Sequence, residues 1–443
     1  MVRMAVRLVV VAVAACAVAL PLAAQHNAPG GPVPVELLEA RRAALLATMP
    51  RGIVVVNASK IRSIETDYPQ DSDYRETNDF FYLTGIESPT GVLVAIQPDS
   101  GGANGQVLLY LSAAPPLRDA WSAARTAADS TGRAWTGMRD IRIRPPVRRV
   151  AGAAPSAAPV DPIGVVIDSI ATATGLTRVS QRGVMGMLRV VKDADELRRL
   201  RRASEISAQA HREAMKQTRP GMWEYEVEAL VEYTFRRLGA ERVGYPSIVG
   251  SGINSTILHY DLSRRQTQPG DLLLLDAAGE WGYFTADVTR TFPVSGKFTP
   301  RQKAIYELVL DTQQAAMAAV KPGATLAEIQ TLARTYMKEH SGDLCAPGDC
   351  TRYFIHGLGH WVGMDVHDVG PFFTPFEPGM TFTIEPGIYI PQESIGVRIE
   401  DVILVTATGH ENLSKSAPRT VADIERLMAQ GKAPVSPRTS TVT

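Results

Sequence analysis

The chain has 443 residues, which is too long for one ordinary domain and predicts two. Hydrophobic residues make up 45% and charged residues 21%, a composition typical of a soluble globular protein. Lys and Arg together number 46, as do Asp and Glu together, so no net charge favours a nucleic-acid partner and none is predicted.

The first 24 residues have the pattern of a secretory signal peptide. Arg3 and Arg7 precede an apolar run over 8–22, and the small residues before Gln25 predict cleavage there. A membrane anchor is the alternative, but it needs about 20 apolar residues, whereas this run is shorter and contains Pro21. We therefore expect an exported protein, periplasmic or secreted, without stable membrane insertion after cleavage.

Cysteine content is compatible with an oxidising compartment. After cleavage only Cys345 and Cys350 remain, and their spacing allows them to close a small disulfide loop. Zinc ligation is the alternative, although two cysteines alone make a poor structural zinc site. Cys16 lies in the leader, where a lipoprotein anchor is a minor alternative that the apolar continuation after it disfavours.

Residues 25–185 are predicted to form a smaller N-terminal domain. A Pro-rich leader precedes a short helical pattern over Val35–Ala47, and a dense polar stretch covers Asp71–Asp79. The Ala/Pro/Arg-rich segment Pro145–Pro162 is predicted to be a loose connection. Four apolar runs separated by polar stretches are predicted as strands: Gly52–Val56, Phe80–Thr84, Gly91–Ile96 and Gln106–Leu111.

Residues 186–430 are predicted to form the larger domain, followed by a disordered tail over 431–443. Two helix pairs, each joined through Pro-Gly, precede strand-rich sequence that carries acids. The first pair is Asp195–Lys216 with Glu224–Leu238, and the second is Pro300–Val320 with a helix from Thr325, where Glu328 completes a capping box. This internal repeat predicts two related α+β halves with a site between them. The alternative is that the two helix pairs are unrelated, because helix pairs are common.

The segment Leu272–Val288 has the pattern of a β-hairpin. A turn centred between Trp281 and Gly282 would place Asp276 opposite Asp287. Cross-strand Cβ atoms lie only about 5 Å apart. Two carboxylates at that distance repel each other, and next to an apolar strand they are costly to bury unless a cation lies between them.

A second hairpin pattern repeats this arrangement. Thr381–Tyr389 and Gly396–Val402 flank a turn near 392–393, and Glu385 and Glu400 lie equally far from its centre. One acidic pair would be compatible with ordinary surface acids on strand edges. Two acidic pairs, one in each half of a domain with an internal repeat, predict four carboxylates that converge on cations.

Three histidines, His356, His360 and His367, lie within twelve residues of apolar, Gly-punctuated sequence. A lone histidine there would usually be a hydrogen-bonded core residue. Gly357 and Gly359 argue against a helix, and the sequence has no His-Glu-x-x-His zinc-protease motif. One histidine with four carboxylates is a hard, oxygen-rich ligand set that suits Mn²⁺, with Zn²⁺, Co²⁺ or Fe²⁺ as alternatives.

At these residues the chain resembles the pita-bread-fold metallopeptidases, and among them aminopeptidase P. Asn78–Gly85 is similar to the N-terminal domain of that family, and 409–428 is similar to the end of aminopeptidase P. The resemblance implies an α+β chain: a smaller N-terminal α/β domain followed by a pita-bread (creatinase/aminopeptidase) domain with an internal pseudo-two-fold repeat. The five metal-ligand positions of the family are matched by Asp276, Asp287, His360, Glu385 and Glu400.

The resemblance also implies a mechanism with two divalent metal ions. Asp287 and Glu400 would bridge ions about 3.5 Å apart, Asp276 would complete one shell, and His360 and Glu385 would complete the other. The ions lower the pKa of a bridging water, and the resulting hydroxide attacks the peptide carbonyl. With Glu385 as general base, the expected reaction is hydrolysis of the N-terminal Xaa-Pro bond of peptides with proline in second position.

Further site residues follow from the same resemblance. His259, His356 and His367 match the family's substrate-binding and proton-shuttling histidines. Arg398 is expected to hold Glu400 or neighbouring acids by paired hydrogen bonds, with a simple strand-edge charge as the alternative. Tyr389 is a weaker candidate for the site wall, and the family implies a homodimer or homotetramer.

Several other functions compete with this interpretation. An Xaa-Pro dipeptidase (prolidase) would share the metal ligands, but the C-terminal tail and the context Arg398–Asp401 favour aminopeptidase P. Methionine aminopeptidases lack such an N-terminal domain, and creatinase-like relatives hydrolyse without metal. A catalytically inactive pita-bread binding protein is the alternative from another class, but its expected signature is a lost ligand and none is lost here.

Overall fold

The structure is a computed structural model that describes residues 30–59, 74–99, 104–113, 126–145 and 161–431. The predicted signal peptide, Cys16 and the predicted tail after 431 lie outside these residues, as do most of the predicted loose connection and the first part of the polar stretch. The chain divides into two units, Met1–Arg189 and Val190–Thr443. The sequence-based boundary was placed slightly earlier, after residue 185.

The first unit is built on a four-stranded sheet with the order β1-β2-β3-β4. The β1–β2 and β2–β3 pairs are antiparallel, and the β3–β4 pair is parallel. The strands are β1 (Gly52–Asn57), β2 (Val92–Gln97), β3 (Gln106–Leu111) and β4 (Ile141–Ile143). The helices described in this unit are α1 (Val35–Thr48), α2 (Asn78–Thr84), α3 (Ser130–Thr136), α4 (Pro162–Thr174) and α5 (Gln181–Arg189).

The predicted strand over Phe80–Thr84 is wrong, because these residues belong to helix α2. Six of the seven residues of α2 are buried, so nearly all sides of the helix face the interior. Its sequence therefore lacks the hydrophobic periodicity that separates a short helix from a strand. Gly85 ends the helix with a φ of 67°, and its backbone N–H donates to the carbonyl of Phe81. This left-handed cap suits glycine and marks a helix end rather than a strand end.

The second unit contains both predicted helix pairs. The described helices are α6 (Ala194–Gln217), α7 (Glu224–Arg237), α8 (Pro300–Ala318), α9 (Leu326–His340) and α10 (Val421–Ala429). The predicted capping box is confirmed: Glu328 N–H donates to Thr325 Oγ1, and the Glu328 carboxylate accepts from Thr325 N–H. Within the described ranges, no helix is both long and apolar enough to cross a membrane.

Small sheets in the second unit carry the acidic residues. Their orders are β10-β7-β6, β11-β14-β15, β12-β13 and β5-β8-β9. The strands are β5 (Arg242–Val243), β6 (Ile248–Ser251), β7 (Leu272–Asp276), β8 (Gly279–Trp281), β9 (Phe284–Thr285), β10 (Thr289–Pro293), β11 (Thr381–Ile384), β12 (Gly387–Ile390), β13 (Ile395–Arg398), β14 (Asp401–Val405) and β15 (His410–Asn412). Leu273 and Leu275 of β7 and Phe382 of β11 belong to one continuous core with the helices, so the ends of these strands have fixed positions.

The first acidic hairpin has a different register from the predicted one. Asp276 pairs with Thr289 rather than with Asp287, because the turn is centred one residue later, between Gly282 and Tyr283. Both turn residues have positive φ, 59° and 71°, as a type I′ turn requires. Tyrosine rarely adopts this conformation, so the sequence did not point to the correct centre.

The second acidic hairpin has the predicted register. Ile384 pairs with Asp401 and Gly387 pairs with Arg398, so Glu385 and Glu400 lie between two sets of correctly paired residues. The two glutamates therefore leave the sheets at equivalent points of neighbouring strands.

The predicted disulfide joins Cys345 to Cys350. Both cysteines are buried, at 3% and 0% exposure. The bridge closes the loop between α9 and a 3₁₀ turn over Cys350–Tyr353, directly before the histidine-rich segment.

Candidate metal centre

The acids of both hairpins reach one cavity of about 270 Å³ in the second unit. Asp276 ends β7, and Asp287 lies in the short segment between β9 and β10. Glu385 lies between β11 and β12, and Glu400 lies between β13 and β14. The cavity is lined by every predicted catalytic and metal-binding residue together with three neighbours: Leu258, His259, Asp276, Asp287, His356, Gly357, Gly359, His360, His367, Glu385, Arg398 and Glu400.

The histidine-rich segment is irregular backbone packed against β11, as its glycines predicted. His360 N–H donates to Thr383 Oγ1 at 3.1 Å, and Thr383 N–H donates to the His360 carbonyl at 2.9 Å. A Cβ on Gly359 would lie 1.9 Å from the Thr383 carbonyl oxygen, so only glycine allows this approach. The close contact places the His360 ring in the cavity.

The His360 ring meets three carboxylates. Its Nε2 lies 3.2 Å from Asp287, 3.5 Å from Glu385 and 3.9 Å from Glu400. Its Nδ1 lies 3.0 Å from the Trp361 carbonyl, which fixes the ring and directs Nε2 towards the acids. One ligand atom from each of Asp287, His360 and Glu400 lies within 4.8 Å of the others.

Glu400 has a buried oxygen that no described protein group satisfies. Its Oε2 accepts a hydrogen bond from Thr289 Oγ1 at 2.7 Å, but its buried Oε1 has no hydrogen-bond partner among the described residues. A buried acceptor without a partner is unfavourable. A divalent cation held with Asp287 and His360 would satisfy this oxygen, so the donor set fits a metal ion.

Asp276 and Asp287 are held by protein donors. Tyr245 O–H lies 2.7 Å from Oδ1 of both aspartates, and Arg398 Nη2 donates to Asp276 Oδ2 at 2.6 Å. Arg398 was predicted to hold Glu400 or a neighbouring acid, and the acid that it contacts is Asp276. Its Nε also donates to Thr289 Oγ1 at 3.1 Å, which links it indirectly to Glu400.

Burial and mutual repulsion shift the pKa values of the acids in the metal-free site. Burial raises the pKa of Asp276, and it raises the pKa of Glu400 far above its usual range, with the charge of Asp287 adding to the effect. Burial also raises the pKa of Glu385, to about 7. For Asp287 burial has the same direction, but the hydrogen bond and charge of His360 outweigh it and the pKa is lowered.

The histidines of the site have opposite shifts. Burial lowers the pKa of His360, but hydrogen bonding and attraction to Asp287 and Glu385 reverse this and raise it to about 9. Burial lowers the pKa of His356 to about 4, and Arg398 adds to this shift. His367, whose ring centre lies 4.0 Å from that of His360, has a pKa lowered by burial and by that neighbour.

The hydrogen bonds of His356 define its tautomer. Its Nδ1 lies 2.7 Å from the Gly357 carbonyl, which can only accept, so Nδ1 carries the proton. Its Nε2 then accepts from Tyr389 O–H at 2.8 Å, and Arg398 Nη1 donates to the same hydroxyl oxygen at 3.0 Å. Tyr389, the weaker prediction for the site wall, therefore connects His356 to Arg398.

A buried polar cluster holds the backbone of the second hairpin. Gln313 Nε2 donates to the carbonyls of Ile384 and Ile399, which directly precede Glu385 and Glu400. Arg290 forms a fully buried ion pair with Asp401 at 2.7 Å, and its Nη1 donates to the Glu400 carbonyl at 2.6 Å.

Comparison with known proteins gives the family. Residues 198–407 match the metallopeptidase family M24, and residues 38–140 match the aminopeptidase P N-terminal domain. An Xaa-Pro aminopeptidase of Escherichia coli (strain K12) is 33% identical over 437 residues, covering 88% of this chain and 97% of the relative. The chain belongs to metallopeptidase family M24.

Solved structures of aminopeptidase P agree with this assignment. Aminopeptidase P from E. coli with the inhibitor Pro-Leu has a TM-score of 0.76 and 31% identity, covering 90% of this chain and 99% of that one. Pseudomonas aeruginosa aminopeptidase PepP has a TM-score of 0.78 and 34% identity, with the same coverage. The M24 chain thus has the predicted fold class, an aminopeptidase P N-terminal domain followed by a pita-bread metallopeptidase domain.

Two residues of this M24 site were not predicted from the sequence. Thr289 would have followed from the correct register of the first hairpin, because it is the cross-strand partner of Asp276. Tyr245 lies between β5 and β6, and no spacing or motif relates it to the aspartates that it contacts. Its role depends on the tertiary fold.

Proposed function

We propose that this protein removes the first residue of peptides whose second residue is proline, in a reaction that requires divalent metal ions. Metal-dependent aminopeptidase activity follows from the family and from the Xaa-Pro aminopeptidases that the chain resembles. The observation that carries the proposal is the unpartnered Oε1 of Glu400 beside Asp287 and His360. An inactive binding protein would not need to keep this buried acidic set.

We propose that two ions are held by the five residues that match the ligand positions of the family: Asp276, Asp287, His360, Glu385 and Glu400. Bound metal would supply a water nucleophile near neutral pH and stabilise negative charge on the scissile carbonyl oxygen. The oxygen-rich set favours Mn²⁺ over softer ions that prefer sulfur ligands. The fit rests on oxygen and imidazole donors that reach one cavity.

Glu385 is the proposed general base. Its carboxylate lies in the cavity, 3.7 Å from His356 Nδ1 and 3.4 Å from Thr383 Oγ1. It accepts no short hydrogen bond from any described residue. A carboxylate so placed can take a proton from water and deliver it to the departing proline nitrogen. That nitrogen is a poor leaving group and must be protonated before the bond breaks.

The histidines line the cavity around this base. His356 is neutral near pH 7, because burial lowers its pKa to about 4, and its Tyr389 partner holds the ring. We propose that His356 and His367 orient the substrate and pass protons, and that His259, which lines the same cavity, helps to bind it. Arg398 holds the Asp276 carboxylate in place and partly offsets the rise of its pKa on burial.

The location and assembly of the protein are further proposals. The apolar leader over 8–22 supports export with cleavage before Gln25, and N-terminal sequencing of the protein made in a bacterial host with its leader would test the cleavage site. A homodimer or homotetramer is proposed from the family resemblance alone. Sedimentation of the mature protein would distinguish these states from a monomer.

The activity is tested on mature protein from Gln25 that is stripped with chelator and reloaded with Mn²⁺. The substrates are an Xaa-Pro-Yaa tripeptide, an Xaa-Pro dipeptide and a proline-free tripeptide, with products identified by mass spectrometry. Metal-dependent release of only the first residue from the Xaa-Pro tripeptide is expected. Cleavage confined to the dipeptide would indicate a dipeptidase instead, and no cleavage with Mn²⁺, Zn²⁺ or Co²⁺ would favour the binding protein.

A further inference from the structure

One wall of the cavity is a loop that we call the His259 loop and define as residues 252–265. It begins with the 3₁₀ turn Gly252–Thr256, directly after β6. It carries Leu258 and His259, which both line the cavity. Since His259 is exposed, its position must be set by the buried parts of the loop on either side.

A single buried carboxylate holds this loop. Glu224 is the first residue of α7 and is 0% exposed. It accepts from Ser251 N–H and Oγ–H at 2.7 and 2.8 Å, and from Asn254 Nδ2 at 3.1 Å. It also accepts from Tyr260 O–H at 2.9 Å and from Arg265 N–H at 2.8 Å. The carboxylate thus binds the residue before the loop, its first turn, its centre and its last residue.

These contacts require an acid rather than another polar side chain. An ionised carboxylate has about four lone-pair sites and no donor, which suits a pocket lined by N–H and O–H groups. A glutamine would turn an NH₂ group towards some of those donors, so at least one buried donor would lose its partner. The position at the start of α7 adds attraction to the helix N-terminus.

The other side of the loop is held from the second hairpin. Gly396 N–H donates to Ser255 Oγ at 2.9 Å, and a Cβ on Gly396 would lie 1.9 Å from the Ser255 carbonyl oxygen. Arg398 Nη2 donates to the Leu258 carbonyl at 3.4 Å. The cavity-facing part of the loop is therefore fixed between Glu224 and Arg398.

We infer that Glu224 is a positioning residue for the substrate wall: it fixes the His259 loop so that Leu258 and His259 stand in the cavity. The inference rests on the proposed function. The described hydrogen bonds of Glu224 all go to Ser251, Asn254, Tyr260 and Arg265, none of which is a proposed metal ligand. Its loss should therefore reduce substrate turnover and leave metal binding intact. A mutation far from the reacting atoms that shifts a substrate-positioning group by about 1 Å can lower the rate by about 100-fold.

The test compares Glu224→Gln with Glu226→Gln in the full mature protein. Glu226 lies on the same helix and is exposed, and its carboxylate accepts from Trp223 N–H, a hydrogen bond that the side-chain carbonyl of glutamine can also accept. We expect Glu224→Gln to lower kcat/KM for an Xaa-Pro tripeptide by about 10- to 100-fold, with Mn²⁺ affinity by calorimetry within about two-fold of wild type. Glu226→Gln should match wild type in both measurements.

A double-mutant cycle with His259→Ala separates positioning from general damage. If Glu224 acts through His259, adding Glu224→Gln to His259→Ala should cost only a small part of its single-mutant effect. An equal fold-loss in both backgrounds would overturn the inference. So would a loss of Mn²⁺ affinity that parallels the loss of turnover.

Hydrogen exchange over 252–265 tests the anchoring without any substrate. Glu224→Gln should reduce protection of this segment and leave that of 381–405 unchanged, and unchanged loop protection would contradict the inference. If Glu224→Gln does not fold, Tyr260→Phe removes one of the contacts and should give a smaller effect of the same kind. If wild-type protein cleaves no Xaa-Pro peptide, the proposed function fails, whereas the exchange result still decides whether Glu224 holds the loop.

Discussion

The two acidic hairpins hold their carboxylates in different ways. In the first hairpin, protein side chains bind the acids directly: Tyr245 contacts Asp276 and Asp287, and Arg398 contacts Asp276. In the second hairpin, buried groups such as Gln313 bind the backbone next to the acids. The carboxylates of the second hairpin accept fewer hydrogen bonds from protein side chains than those of the first hairpin.

The two hairpins therefore contribute differently to the proposed metal site: the first orients its acids, and the second leaves a carboxylate oxygen for a ligand. Direct donors orient the aspartates and oppose the effect of burial on their charge before any ion arrives. The Gln313 side chain places the glutamates by donating to the backbone beside them, and Glu400 Oε1 keeps no protein partner within the described chain. The second hairpin should therefore depend more strongly on bound metal than the first.

The largest expected effect comes from Asp287→Ala, which breaks the first hairpin's contact with His360 and removes a proposed bridging ligand. Metal binding and Xaa-Pro cleavage should be lost together, as measured by metal analysis of the dialysed protein and by tripeptide turnover. Asp311→Ala, on the exposed side of α8, is the control and should leave both unchanged. Retained turnover in Asp287→Ala would refute the site.

Glu400→Gln and Asp287→Asn should change the stability of the metal-stripped protein in opposite directions. The pKa of Glu400 is raised by burial, so removing its charge should raise the unfolding temperature. The pKa of Asp287 is lowered by His360, so removing its charge should reduce that temperature. Both variants should lose at least about 100-fold in metal affinity, beyond the usual cost of outer-shell changes. Shifts of the same sign in scanning calorimetry would remove the proposed contrast.

Tyr245→Phe and Gln313→Met test the indirect support of each hairpin. Each should weaken Mn²⁺ binding by about 10-fold, since such outer contacts orient the ligands. Gln313→Met should also lower the free energy of unfolding by about 1–3 kcal/mol, because buried carbonyls lose their donor. Gln314→Met, exposed on the same helix, is the control for Gln313. If calorimetry shows unchanged binding in Tyr245→Phe, direct donors do not prepare the first hairpin.

The smallest effect should be a pH dependence of stability in the stripped protein. The pKa of His360 rises from 6.5 to about 9 on folding, so its stabilising contribution is complete below pH 6.5 and is lost as pH rises through 9. The raised pKa of Glu400 acts in the same direction. Urea unfolding should show stability that falls between pH 6.5 and 9, and saturating Mn²⁺ should flatten the curve. Stability that rises over this interval in the stripped protein would contradict these shifts.

The sequence predicted the site better than it predicted the register that builds it. His360 and Glu385 line one cavity as predicted, because residue types suited to metal ligation are distinctive in a sequence and the family motif covers them. The Asp276 register was missed because Tyr283 adopts a conformation that its residue type does not suggest. Tyr245 was missed because its contacts depend on the packing of distant strands. The helix at Phe80 was missed because a uniformly buried run has no period.

The contact between Gly396 and Ser255 also has a consequence for protein engineering. Since no side chain fits between them, the first turn of the His259 loop is unsuitable for library mutagenesis. Ile257, 48% exposed and next to the cavity-lining Leu258, has space around it. A directed-evolution programme that seeks new first-residue preferences should therefore randomise Ile257 and Leu258 and keep Gly396 and Glu224 constant.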